Sequence, residues 1–205
     1  TTLLLIVAGT LGYYFLETGK SLQGLPGSDK WMIAFFGSVS ARTAGFNVVD
    51  ISIWSYPTIF LMIFLMWVGA SPGSTGGGIK TTTFAIALRA AYDFVRGRHE
   101  VEIGNREIGN ETISRVLVVI ILSLATIFFG FFGLLIFDAD KNPVHLLFEC
   151  FSAFGTVGLS IVNTSTLSEV GKEIIICLMF IGRLGPLTLL TGLFIPHKKQ
   201  YFKYP

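Results

Sequence analysis

Four stretches of the chain carry almost no charge: residues 1–16, 51–79, 116–137 and 174–195, the last broken only by Arg183. A helix spanning a bilayer needs about 20 mostly apolar residues, and three of the four stretches reach that length. Two shorter apolar runs lie between them, WMIAFFGSVSA at 31–41 and PVHLLFECFSA at 143–153. At about 1.5 Å of rise per residue, such a run covers well under the roughly 30 Å of hydrocarbon. The pattern predicts re-entrant helices that dip into the bilayer and return.

The pattern also repeats. At an offset of 113 residues, RTAGFN (42–47) lies over GTVGLS (155–160), and LMWVGASPGST (65–75) lies over LMFIGRLGPLT (178–188). Thr43, Gly45, Leu65, Met66, Gly69 and Thr75 meet identical residues at Thr156, Gly158, Leu178, Met179, Gly182 and Thr188. Self-similarity at a fixed period marks tandem structural units. Each unit reads as long helix, short re-entrant helix, Thr/Gly tract and long helix. In the first unit, 1–97, these fall at 1–16, 31–41, 42–47 and 52–97; in the second, 113–205, at 113–137, 143–153, 154–160 and 171–196. The expected fold is an all-α membrane protein of two tandem repeats. Residues 98–112 (RHEVEIGNREIGNET) form the one clearly hydrophilic stretch, expected to be a linker too short to fold alone. The chain opens on Thr1 with its first apolar stretch clipped, which reads as a piece of a longer polypeptide. That end lacks the basic segment and small-residue cleavage site of a secretory signal.

Composition supports the bilayer as solvent: 14% of residues are charged against about 25% in soluble domains, and mean hydropathy is +0.68. A net charge of +2 from 15 basic and 13 acidic residues gives no field able to hold a nucleic acid. Cytoplasmic loops carry the excess of Lys and Arg. Arg89, Arg96, Arg98, Arg106 and Arg115 lie between the units and Lys198, Lys199 and Lys203 follow the last span, whereas Lys20, Lys30, Lys141 and Lys172 each stand near an acid. The count places the linker and the tail in the cytoplasm. Cys150 and Cys177 lie in apolar sequence without metal-ligand spacing and read as small buried hydrophobes. His99, His145 and His197 are too scattered to assemble a metal triad or catalytic dyad.

Non-helical backbone at membrane depth survives only inside protein or beside a water-filled cavity. The two tracts hold Thr and Gly at fixed spacing and no carboxylate, so they offer backbone carbonyls: those of Thr43, Ala44 and Gly45 and of Thr156, Val157 and Gly158. Glycine permits the dihedrals that turn successive carbonyls inward, and rings of carbonyls replace the water shell of an alkali cation. The plainer reading is a pair of tight turns. GASPGSTGGGIK (69–80) interrupts the longest apolar stretch with Gly69, Gly73, Gly76, Gly77 and Gly78 before Lys80. A phosphate loop reads G-x-x-x-x-G-K-[ST]; here one residue too many precedes Lys80, and the flanks are apolar helix. Arg183, alone in its span, needs a cavity or carbonyl partners; it aligns with Ala70, so its guanidinium is expected to bond the free carbonyls of the glycine loop. Glu149, which aligns with Phe36, is expected to form a structural salt link, with Arg42 as one partner. Segment 81–97 is amphipathic and basic, suited to a lipid surface or to a cytosolic partner.

TVGLS resembles a degenerate potassium-channel filter, and RTAGFN, GASPGSTGGGIKT, FSAFGTVGLS and GRLGPLT together resemble the Trk/Ktr/HKT family of potassium transporters, most closely the third and fourth repeats of its bacterial Ktr membrane subunits. The resemblance covers nearly the whole chain. It implies a potassium-uptake pore without enzymatic activity, K+ held at the filter residues only, and the glycine loop with Arg183 as a gate below. It also implies a multi-pass protein of the bacterial plasma membrane, a homodimer, and a cytosolic regulatory ring (KtrA-like) on which alone the nucleotide binds. No covalent cofactor is implied; Na+ is a candidate coupling ion, with channel or symport left open. Family members carry four repeats, so the other two are expected from the rest of the polypeptide or from a second copy. Two alternatives remain: a membrane-bound nucleotide-hydrolysing enzyme using the glycine loop, and a non-conducting half-subunit serving assembly.

Overall fold

The structure, a computed structural model, describes residues 1–97, 101–103 and 106–188. The far end of the last expected helix, the tail lysines, Arg98, His99 and His197 lie outside the described residues. The first unit holds α1 (Thr2–Glu17), α2 (Gly27–Ser40), a 3-10 turn (Ile51–Ile53), α3 (Tyr56–Trp67) and α4 (Thr81–Val95). Strands β1 (Val101–Ile103) and β2 (Arg106–Ile108) follow. The second unit holds α5 (Asn110–Phe137), α6 (Pro143–Phe154), a 3-10 turn (Thr164–Thr166) and α7 (Glu169–Leu184). Among the described residues, α5 is the one helix long and apolar enough to cross a membrane, with α1, α3 and α6 as shorter apolar helices.

Several boundaries differ from the hydrophobic pattern for local reasons. Helix α2 starts at Gly27 rather than 31, because Pro26 precedes it with φ −56° and Asp29 sits in its first turn, where a negative charge complements the helix dipole. The linker contains an antiparallel hairpin, with Val101 opposite Ile108 and Ile103 opposite Arg106. So short a hairpin is marginal by itself; β1 lies against α4. The last apolar stretch is not one continuous helix. Helix α7 stops at Leu184, Gly185 takes φ 84°, and Pro186 lacks the N–H and would clash with the preceding turn of a continuing helix. Cys150 is buried as expected, whereas Cys177 is exposed: it lies on an outer face of α7 that also carries exposed Ile176 and Phe180, so its apolar neighbours are surface and not core.

Each unit packs its re-entrant helix against its own long helices, α2 on α1 and α6 on both α5 and α7, and α3 meets α6 across the junction. One core gathers Tyr13, Trp54, Met62, Met66, Phe148 and Val157, the other Ile127, Leu134, Leu146, Phe154 and Leu178. Trp67 packs against both cores, and its indole donates to Ser123 Oγ at 3.2 Å.

The repeat is also visible in the corners that close each unit. Ser55 and Ser168 are the residues immediately before α3 and α7. Glu17, fully buried at the end of α1, accepts from the Ser55 amide at 2.9 Å, the Ser55 hydroxyl at 2.7 Å and the Thr58 hydroxyl. Asp138, just past α5, accepts from the Ser168 amide at 2.7 Å and its hydroxyl at 2.9 Å. In both corners a carboxylate ties the end of the outgoing helix to the positive N-terminus of the returning one. Glu17→Ala leaves the Ser21 and Ser55 amides and two hydroxyls without this acceptor and should cost roughly 2–4 kcal/mol of stability. Thermal unfolding of the detergent-solubilised protein checks this, and Glu17→Gln, which keeps an acceptor oxygen, should lose less.

Candidate functional site

The chain leaves α2 and α6 by similar turns. The amides of Ala44 and Gly45 both return to Ser40 O at 3.1 Å, and those of Thr156 and Val157 return to Ala153 O and Ser152 O at 2.9 Å. The amides are thus consumed by the last helical turns. No hydrogen bond among the described residues is accepted by the carbonyls of residues 43–45 or 156–158. Thr43 and Gly45 have φ 68° and 75°, Thr156 and Gly158 φ 52° and 97°, while Ala44 and Val157 between them do not share the positive φ. The sign of φ thus alternates along both tracts. A β-branched residue at positive φ is a true outlier, held there only by surrounding structure, and the same outlier recurs at the equivalent position of both units.

That surrounding structure includes two serines absent from the sequence-based site. Ser40 and Ser152, both buried, sit in the last turns of α2 and α6. Ser40 Oγ donates to Phe46 O, and Ser152 Oγ donates to Leu159 O at 2.6 Å. Each hydroxyl captures the carbonyl one residue past the glycine and draws it back to the helix. At the 113-residue offset Ser40 faces Ala153 and Ser152 faces Val39, so the register that reveals the tracts hides their tethers. The two tracts lie side by side: a methyl group on Gly45 would collide with the Val157 carbonyl.

Residues 68–80 fold back on the end of α3. Ile79 N donates to Trp67 O at 3.1 Å and Thr81 N to Ala70 O at 3.3 Å, while a methyl on Gly69 would strike Gly77 O. The bend presses against both tracts. A Cβ on Gly76 would stand 2.7 Å from Thr43 Oγ1, one on Gly77 2.7 Å from Thr156 Oγ1, and the Gly77 amide donates to Thr156 Oγ1 at 2.8 Å. Lys80 Nζ donates to Gly76 O at 2.6 Å and Ser74 O at 3.3 Å, and Arg42 Nη2 to Gly69 O at 2.8 Å. Gly73 takes φ 78° at the exposed side of the bend.

Arg183 departs from expectation. It is exposed and shares a cavity of about 220 Å³ with Gly76, Lys80, Thr83 and Phe154, but among the described residues no hydrogen bond joins it to the loop. Lys80, within the loop, and Arg42, beside it, hold those carbonyls instead. Nor does Glu149 pair with Arg42; its Oε1 accepts from Ser160 Oγ, Ile161 N and Val162 N. The assembled site offers neutral oxygen ligands suited to a hard cation.

Comparison with known proteins places these features in a lineage. The profile of the family described as "TrkH: Cation transport protein" matches residues 2–203. The chain is 41% identical over 206 residues to the Ktr system potassium uptake protein B of Vibrio alginolyticus, covering 100% of this chain and 45% of that protein. It is 40% identical over 201 residues to the Ktr system potassium uptake protein D of Bacillus subtilis, covering 98% of this chain and 44% of that one. The crystal structure of the potassium transporter TrkH from Vibrio parahaemolyticus superposes with a TM-score of 0.78 at 21% identity, over 95% of this chain and 43% of that one. The chain spans less than half the length of these relatives.

Lys80→Met removes both bonds from the ammonium to the loop and should weaken its folded-back position by about 1–3 kcal/mol. A nitroxide label at position 74 should then gain mobility, with Lys80→Arg gaining less.

Proposed function

Because the chain belongs to the TrkH family of cation transport proteins, we propose that it supplies half of the pore of a potassium-uptake subunit, with K+ as its substrate. The observation that carries this reading is the pair of abutting tracts whose six carbonyls, at residues 43–45 and 156–158, accept no hydrogen bond among the described residues. Partly dehydrated potassium ions replace the missing donors and gain a substitute for their water shell. Short re-entrant α2 and α6 act as pore helices, and α1, α3–α4, α5 and α7 frame them. Two tracts make only part of a ring. Phe46 and Val48, 70% and 62% exposed beside the first tract, mark a side for the remaining two repeats, supplied by the rest of the polypeptide or by a second copy.

The glycine loop is the gate. Gly76 and Gly77 lie against Thr43 and Thr156, where a mobile segment would block an ion leaving the carbonyls. Lys80 latches the closed loop, Arg42 fastens its base, and Arg183, a positive charge in the adjoining cavity, repels cations. A nucleotide-hydrolysing role is disfavoured, since the Gly77 amide and the Lys80 ammonium that would bind phosphate are engaged with Thr156 and with the loop's own carbonyls. We place the protein in the bacterial plasma membrane as a homodimer on a cytosolic, nucleotide-binding regulatory ring that sets the gate, with Na+ as a candidate coupling ion.

Uptake by potassium-deficient cells tests the filter. Gly158→Ser has room for its Cβ but must hold φ 97°, a strain of about 1–3 kcal/mol that should reduce preference for potassium over sodium. Gly45→Ser, which adds a collision with the Val157 carbonyl, should be the more severe. Unchanged potassium affinity and sodium exclusion in Gly158→Ser at normal surface expression would sink the assignment. The gate is tested separately: shortening the tract between Gly73 and Gly78 should raise flux and weaken dependence on the cytosolic partner, and Arg183→Ala should raise flux as well. Lower flux from the shortened loop would count against a gate.

A further inference from the structure

Glu149 lies on α6, is 3% exposed, and has no charged partner among the described residues. Its Oε1 accepts from Ser160 Oγ at 2.8 Å, Ile161 N at 2.7 Å and Val162 N at 3.1 Å, all on the stretch just past Gly158. Packing alone does not back this stretch: a cavity of about 230 Å³, lined in part by Glu149, Thr156, Gly158, Ser160 and Met179, lies against it. Residues 156–162 therefore hang from α6 at two points, Ser152 through Leu159 O and Glu149 through three donors.

The first tract has one such point, Ser40 on Phe46 O. Phe36, 41% exposed, stands where Glu149 does in the repeat. The side-chain bond past Gly45 is local, from Asn47 Nδ2 to Val49 O at 3.3 Å.

We propose that Glu149 is a positioning residue that fixes the spacing of the Thr156, Val157 and Gly158 carbonyls, making the second tract the stiffer of the two and the one that discriminates more strongly between potassium and sodium. A tract free to close inward would coordinate the smaller sodium ion as well. The proposal rests on the filter reading above and adds to it an inequality between the tracts that their matching sequences do not suggest.

The test measures rubidium and sodium uptake by potassium-deficient cells, with every variant compared at matched membrane abundance. Glu149→Ala should lower the preference for rubidium over sodium roughly tenfold, equivalent to about 1.4 kcal/mol, chiefly by raising the half-saturating rubidium concentration while the maximal rate changes less. Glu149→Gln keeps an acceptor oxygen but puts an amide in place of the carboxyl and should fall by less than Glu149→Ala. Ser160→Ala removes one donor of three and should shift preference in the same direction by less than Glu149→Ala. Should Glu149→Ala fail to reach the membrane, Glu149→Gln and Ser160→Ala still decide the matter. Wild-type preference in both, with preference lost in Gly158→Ser, would overturn the positioning role and leave the filter standing. Wild-type preference in Gly158→Ser as well would remove the filter reading and this proposal with it.

Discussion

Six backbone carbonyls that accept no hydrogen bond among the described residues, in a chain built largely of apolar helices, set the terms for the rest of this molecule. An unsatisfied polar group in an apolar medium costs several kcal/mol, so holding six such carbonyls at membrane depth calls for compensating structure and, in the function proposed above, for ions as partners. The scaffold supplies the first part. The amides of Ala44, Gly45, Thr156 and Val157 are bonded to the ends of α2 and α6, and Ser40 and Ser152 capture the carbonyl just past each glycine. The carbonyls of residues 43–45 and 156–158, where the sign of φ alternates, accept no hydrogen bond among the described residues. The threonines, forced into positive φ, show that the conformation is imposed by these surroundings and not preferred by the residues.

Much of this was legible in the sequence, but unevenly. The tandem units and the paired tracts were visible because glycine and threonine recur in register, and glycine recurs where backbone meets backbone: Gly45 against Val157, Gly69 against Gly77, Gly182 against Phe154 O. The supports were not visible. Glu17 and Asp138 close equivalent corners from positions that do not align at the 113-residue offset, and Ser40 and Ser152 miss each other by one residue. A tether is defined by where its hydroxyl arrives in space, which different local helix-end turns can achieve. Arg183 and Glu149 show the same limit from the other side. Each has the charge to bind the partner expected of it, yet Lys80 and Ser160 stand nearer. The start of α2 at Gly27 and the break at Gly185 escaped the hydrophobic pattern because both depend on proline geometry.

Symmetry between the units is thus strict at the tracts and loose around them. Arg42, beside the first tract, reaches Gly69 O, whereas its counterpart Gly155 carries no side chain and comes close enough to the Met66 carbonyl that a Cβ would stand 2.7 Å from it. The long glycine loop belongs to the first unit, where α3 and α4 are separated by residues 68–80; the second unit breaks at one glycine followed by a proline. An ion path needs equivalent carbonyls on its sides, which constrains the tracts alike. It needs no equivalence in what stands behind or below them, and that freedom leaves room for one unit to carry the loop proposed as a gate while the other carries the Glu149 support.

The bonds holding the loop bear on how it would move. Side-chain hydrogen bonds fasten it at several points: two from Lys80, one from Arg42, one from Gly77 to Thr156, and one between Ser71 and Thr2 of α1. At about 0.5–1.5 kcal/mol net for a neutral bond, and about 1.5–3 for one to a charged group, they sum to several kcal/mol. Shifting a two-state equilibrium from 1:99 to 99:1 takes about 5.5 kcal/mol, a quantity of the same order. The loop is therefore fastened tightly enough to remain folded back yet weakly enough for a protein partner to release. Releasing the tracts is a different matter, since their tethers are buried serine hydroxyls within the packed helix ends. Segments that open are drawn from the less protected part of a structure, and in the proposed gate the division would fall between Thr156 and Gly77, with the threonine on the fixed side and the glycine that donates to it on the side that would move.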